Sequence, residues 1–248
     1  MCRPGCDRAG DADGVTGPDA PPTDHSGGAT WALLPGAPES RLSAEVAACL
    51  PAVTPAPPWR TRVEATLWWH PAGAEALAAL PAVLRPRRAL VVGAVVRYLD
   101  SPVGPYAEVL GAVVPGLLRV HVPFLAVDRL ASVAGGRAHW ALPKALATAL
   151  TCGGEVTARG EDWSVGVASA RRGPRLPVGG WLRLAQLDDR GRVLRAGVRA
   201  WGRARAACVT VDVRSAYDRE RGSIAGLLRG GRHPGAVLQA RVRIGPPR

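Results

Sequence analysis

Apolar and polar residues alternate from Arg62 to Trp69, with Val63, Ala65, Leu67 and Trp69 on one side and Arg62, Glu64, Thr66 and Trp68 on the other. That period of two defines a strand. Strand patterns return at Ala89 to Tyr98, Ala107 to Val114, Leu118 to Ala126, Glu155 to Ala158, Ser164 to Ala170, Leu182 to Leu187, Val193 to Val198 and Ala207 to Val213, separated by turn-forming segments. Asp188-Asp189-Arg190-Gly191 predicts a turn joining two of them into a hairpin. Helical signals are short: Ser43 to Leu50, capped by Ser43 and stopped at Pro51; Ala72 to Leu80, stopped at Pro81; and Lys144 to Leu150, after Pro143 and closed by Gly153-Gly154. Many strands, few helices and no βαβ alternation predict a β-rich α+β fold, a mostly antiparallel, barrel-like sheet enclosing an apolar cavity.

Residues 1 to 40 are rich in Gly, Pro, Asp, Ser and Thr and carry no apolar period, which predicts a disordered tail. Residues 41–248 then form a single domain, and a chain that is 47% apolar has the material for its core. The longest apolar runs, such as Ala89 to Val96, are too short to cross a bilayer. No signal-peptide-like stretch opens the chain, so a cytoplasmic protein without membrane association is expected. Five scattered cysteines have neither disulfide-framework nor zinc-site spacing. Reduced thiols and no metal are expected.

The net charge of +12 attracts polyanions. Its densest cluster, Arg192, Arg195, Arg199, Arg203 and Arg205, alternates with small and apolar residues as on a solvated sheet face. No helix-turn-helix, RNP-like or zinc-finger pattern accompanies it, which disfavours nucleic acid as a partner. Gly226 to Gly231 lacks the Lys-Ser/Thr of a phosphate loop.

One lysine, Lys144, stands among the 32 basic residues. A guanidinium stays protonated in a protein, whereas a lysine amine becomes a nucleophile once its proton is lost. Lys144 closes the run Gly136-Arg137-Ala138-His139-Trp140-Ala141-Leu142-Pro143-Lys144, downstream of Ser101-Pro102-Val103-Gly104-Pro105-Tyr106-Ala107-Glu108.

These two segments, Gly-Pro-Tyr-x-Glu and Gly-Arg followed by Pro-Lys, resemble the acetoacetate decarboxylase family. The resemblance extends in element order from Trp59 to Ile244, with specific motifs between Tyr98 and Leu150. It implies that Lys144 forms a Schiff base, that Glu108 positions the substrate or shuttles a proton, and that Arg62, or its neighbour Arg60, holds a substrate carboxylate. Trp140, Tyr106 and His139 are further candidates for the pocket. The family decarboxylase has a second lysine directly after the reactive one, where this chain has Ala145. Burial is therefore expected to lower the pKa of Lys144, helped by a helix N-terminus. The implied activity is decarboxylation of a small β-keto acid with no cofactor, by a homo-oligomer. An aldolase-dehydratase or cyclase using the same intermediate is the alternative, and a non-catalytic small-molecule-binding protein is the reading from another class.

Overall fold

The predicted strands run into one another in the three-dimensional structure, a computed structural model that describes residues 23–24, 34–116, 118–152, 155–217 and 222–248. In chain order the strands are β1 (Thr23–Asp24), β2 (Val53–Thr54), β3 (Trp59–Pro71), β4 (Leu90–Asp100), β5 (Tyr106–Gly116), β6 (Arg119–Val127), β7 (Lys144–Leu146), β8 (Ala149–Cys152), β9 (Glu155–Arg159), β10 (Trp163–Leu187), β11 (Val193–Ser215) and β12 (Gly231–Pro247). The helices are α1 (Ala44–Ala48), α2 (Ala74–Ala78), α3 (Leu130–Trp140) and α4 (Ile224–Leu228), with 3-10 turns at Pro38–Ser40 and Ala82–Leu84.

β1 pairs with β2, and the other strands form a ten-stranded sheet in the order β7-β6-β5-β4-β3-β12-β11-β10-β9-β8. Its ladders are antiparallel apart from β6–β7 and a short β6–β10 contact, in which Arg119 lies opposite Arg183 and Val120 opposite Leu184. The second contact curls the sheet into a ring. β10 makes this possible with an irregularity between Arg172 and Leu176, where Gly173 takes a φ of +68°. Bulges bend a strand and increase its twist, so the first part of β10 pairs with β9 while its end reaches β6. The predicted hairpin closes with Leu187 opposite Val193. Asp188 tightens its turn by accepting bonds from the backbone N–H groups of Arg190 and Arg192 and from the Arg192 guanidinium at 2.7–3.0 Å.

Both faces of the sheet pack. Val63, Ala65, Ala94, Val96 and Ala240 form one cluster, which joins through Tyr98 and Leu110 to another around Trp59, Val127, Val133 and Trp140. The opposite face packs Trp68, Val91, Phe124, Val209 and Leu227. The β3 alternation is therefore real, but its expected polar side turns apolar at Trp68, which is fully buried.

Two expectations change. The tail stops short of residue 40: Ala37 N–H donates to Pro123 O (2.7 Å), and Glu39 Oε1 accepts from Ser215 Oγ (2.6 Å) and Ile224 N–H (3.0 Å). Apart from β1, residues 1–33, with Cys2 and Cys6, lie outside the described residues. The helix expected at Lys144 to Leu150 is instead strand, β7 and then the start of β8, and Gly153-Gly154 lies outside the described residues. The helix of this region lies upstream as α3, stopped by Ala141 in a left-handed conformation (φ +51°). Most of α3 is buried, from Ser132 through Arg137 and again at His139 and Trp140. It consequently lacks the two-sided pattern that marks a surface helix, and Gly135-Gly136 lowers its intrinsic propensity. Among the described residues no helix is long and apolar enough to cross a membrane.

Candidate active site

Two tight structures, each built from one of the sequence motifs, bring the site together. In the first, Ser101 Oγ donates to Gly104 O (2.6 Å) and accepts from Val103 N–H (3.2 Å), while Gly104 adopts a φ of +80° that side chains disfavour. This turn joins β4 to β5 with Tyr98 opposite Tyr106 and Val96 opposite Glu108. The two tyrosine rings stack with centroids 4.1 Å apart, and Tyr98 donates its hydroxyl to Glu108 Oε1 at 3.2 Å.

The second structure holds the lysine. Lys144 lies on β7, opposite Leu125 of β6. Its carbonyl accepts from Arg137 Nε (2.7 Å), and the same guanidinium donates to Ser40 O (2.7 Å). The lysine stem runs over Gly136, where an added Cβ would sit 2.5 Å from Cδ and 2.6 Å from Cε. The Gly-Arg pair thus has two physical duties: a gap for the stem and a clamp on the backbone.

At the end of the stem, Nζ donates to Glu108 Oε2 at 2.9 Å and to Ser132 Oγ at 3.0 Å, and it lies 5.3 Å from the centre of the Tyr106 ring. Ser132 comes from the first turn of α3. Lys144 and Glu108 are 4% and 2% exposed, so the pair is screened from water and each charge depends on the other. Burial is the largest single influence on the amine and pushes its pKa down. The Glu108 carboxylate and the Tyr106 hydroxyl together outweigh it, holding the amine above its ordinary value. The expected direction is thereby reversed, because a carboxylate in contact favours the ammonium that burial disfavours. The helix N-terminus expected to assist is absent too, since Lys144 begins a strand. Burial and the Glu108 charge push the Tyr98 hydroxyl far up, and burial raises that of Tyr106, so both phenols keep their protons. Arg137 is lowered to about 10 by burial and remains cationic at neutral pH.

Lys144, Glu108 and Tyr106 therefore converge. Arg62 does not join them. It is exposed on β3 and projects from the face opposite Ala65, whereas Ala65, Val96 and Glu108 follow one another across the ladder on the inner face. Arg60, two residues away on the same strand, shares the outward orientation. Trp140 is a core residue, packed edge-to-face on Trp59 (5.1 Å) with its indole donating to Gly245 O (2.8 Å). His139 is buried against Trp59 and Thr54, with Nε2 3.1 Å from Thr54 Oγ1. Ala145 faces away from the amine into the core that contains Phe124. Ser132 and Tyr98 were not among the site candidates read from the sequence. Tyr98 was within reach of that reading, because a tight Ser101–Pro105 turn pairs it with Tyr106. Among the described residues no group of three or more His, Cys, Asp or Glu gathers as a metal site.

The ring-shaped, β-rich sheet is a fold that this chain shares with solved structures. The fold matches acetoacetate decarboxylase from Legionella pneumophila subsp. pneumophila str. Philadelphia 1, with a TM-score of 0.55, 17% identity, and coverage of 78% of this chain and 87% of that one. A second acetoacetate decarboxylase structure matches with a TM-score of 0.52 and 16% identity over 78% and 88% of the two chains. No curated protein matches the sequence significantly. The family profile for acetoacetate decarboxylase matches residues 44–179, and the chain belongs to that family.

Proposed function

We propose that Lys144 is the Schiff-base nucleophile of a lyase that decarboxylates a small β-keto acid. The observation that supports this most is the chain's one lysine, buried with its amine 2.9 Å from a carboxylate that can take its proton. At rest the pair is ammonium and carboxylate. Transfer of one proton to Glu108 frees the lone pair of Nζ, which attacks the ketone carbon and leaves a carbinolamine. Glu108 returns the proton to the hydroxyl, water departs and an iminium remains. The bond to the carboxylate carbon then breaks, CO₂ leaves, and the electron pair moves to the iminium nitrogen to give an enamine. Protonation at carbon and hydrolysis release the ketone and restore the amine. Tyr98 steadies Glu108, and Ser132 orients Nζ.

No separate cofactor enters this scheme, because the iminium is the electron sink. The free thiols of Cys49 and Cys208 support a reducing, cytoplasmic setting. Exposed Leu176 and Val178 on β10 support self-association. A second reading, aldolase-dehydratase or cyclase chemistry through the same iminium, draws support from the elevated pKa of Lys144 and from Ala145, since neither matches activation by an adjacent cation. Borohydride reduction in the presence of β-keto acids and other carbonyl compounds, followed by mass analysis of the Lys144 peptide, tests the nucleophile. CO₂ release separates the two reactions. Absence of any adduct across the panel would refute the Schiff base and leave a binding protein.

A further inference from the structure

The outer face of the sheet carries a second arrangement, independent of Lys144. Three cross-strand ladders place Arg60 opposite Arg243, Arg243 opposite Arg199, and Arg199 opposite Trp181. The next row on the same face runs Arg62, Arg241, Trp201 and Gly179. Neighbouring strands lie about 4.8 Å apart and same-face residues of one strand about 6.8 Å apart, so five guanidiniums and two indoles share one compact patch. Among the described residues none of the five is in an ion pair. The acids bordering the patch are Asp100, opposite Arg62, and Glu64, which is engaged by Arg97 (3.7 Å) and Gln239 (2.9 Å). Trp181 and Trp201 are each 50% exposed. A groove of about 1100 Å³ covers the β10–β11 end of the patch, lined by Arg183, Arg195, Arg199, Arg243, Trp181 and Trp201 among others, with no acidic side chain in its wall.

Like charges directly opposite one another destabilise a sheet, and the exposed indole surface gains nothing from water, although Arg183 already lies over the Trp181 ring at 5.7 Å. A polyanion removes both penalties. We propose that this face binds single-stranded nucleic acid, its phosphates on the arginine rows and its bases stacked on Trp181 and Trp201, the combination that sequence-tolerant single-strand binders use. A second copy docked by this face would set arginine against arginine, and an acidic peptide would leave the indoles without a stacking partner. The motif-free arginine cluster disfavoured this partner in the sequence because nothing there shows that arginines of β3, β11 and β12 share one face.

Anisotropy with a labelled 20-nucleotide oligo-dT and the full chain tests the proposal. Binding is expected at 50 mM salt, weakening by about 100-fold at 200 mM if roughly five phosphates are neutralised at a slope of about −0.7 each. Trp201→Ala should weaken it by about 10-fold or more through lost stacking. Arg199→Gln should reduce the salt slope by about 0.7. Absence of binding at 50 mM salt, equal or tighter binding of a duplex, or unchanged affinity in both Trp181→Ala and Trp201→Ala would overturn it. So would sedimentation showing a dimer that buries the indoles and persists with excess oligonucleotide.

Discussion

The two faces of one sheet treat cations in opposite ways. On the inner face a single ammonium is dry and held by Glu108 and Ser132; on the outer face five guanidiniums stand in cross-strand rows with no ion-pair partner among the described residues. Burial explains the difference. A charge withdrawn from water must be compensated within hydrogen-bond distance, whereas exposed charges are screened and can be kept for a partner that arrives from solution. The inner site is therefore sensitive to single substitutions, and the outer face to salt.

The largest effect is expected from Lys144→Met, which strands the Glu108 carboxylate. Denaturant unfolding should show a loss of about 3–5 kcal/mol, and adding Glu108→Gln to the same chain should recover most of it. Gly136→Ala comes next, since its methyl group would press on the lysine stem. Overpacking of this kind costs about 1–3 kcal/mol, and Schiff-base trapping at Lys144 should slow while oligonucleotide binding on the outer face stays unchanged.

Alkaline pH sharpens the contrast further. The folded pKa of Lys144 is raised, so its contribution to stability is fully present below the unfolded value of about 10.4 and is lost as pH rises through the folded value. Urea midpoints measured upward from pH 9 should fall in the wild type, and the Lys144→Met, Glu108→Gln double variant should lack this component. The smallest effect belongs to the outer face. Arg243→Thr removes like-charge contacts with Arg60 and Arg199 and should stabilise the chain by about 0.2–1 kcal/mol at low salt. The gain should fade as salt is added.

Much of the fold was legible where one face of a strand is buried, as at Val63 and Ala65, or where a turn has distinctive chemistry, as at Asp188 to Gly191. It was illegible where burial is complete or absent. α3 hides its helical period by being buried nearly all round, and the middle of β10 hides its strand period by being exposed throughout. Lys144 to Leu150 is built of good helix formers, yet pairing with β6 overrides that propensity for Lys144–Leu146. In the site, the family resemblance of the two motifs pointed to Lys144 and Glu108, and the structure places the two side chains 2.9 Å apart. Arg62 was placed by its position along a strand alone, and the side of the sheet it faces depends on pairings that sequence spacing does not define. The sign of the lysine's pKa shift was likewise out of reach, since it depends on a 2.9 Å contact between residues 36 apart in sequence.

Because Lys144 is the chain's one lysine, ¹⁵N labelling of lysine yields a single side-chain resonance whose pH titration reports this amine directly. A pKa above the ordinary value of about 10.4 in the wild type, dropping below it in Glu108→Gln as burial acts unopposed, is the predicted result. A wild-type value already below the ordinary one would contradict the buried ammonium–carboxylate pair as the resting state of the site.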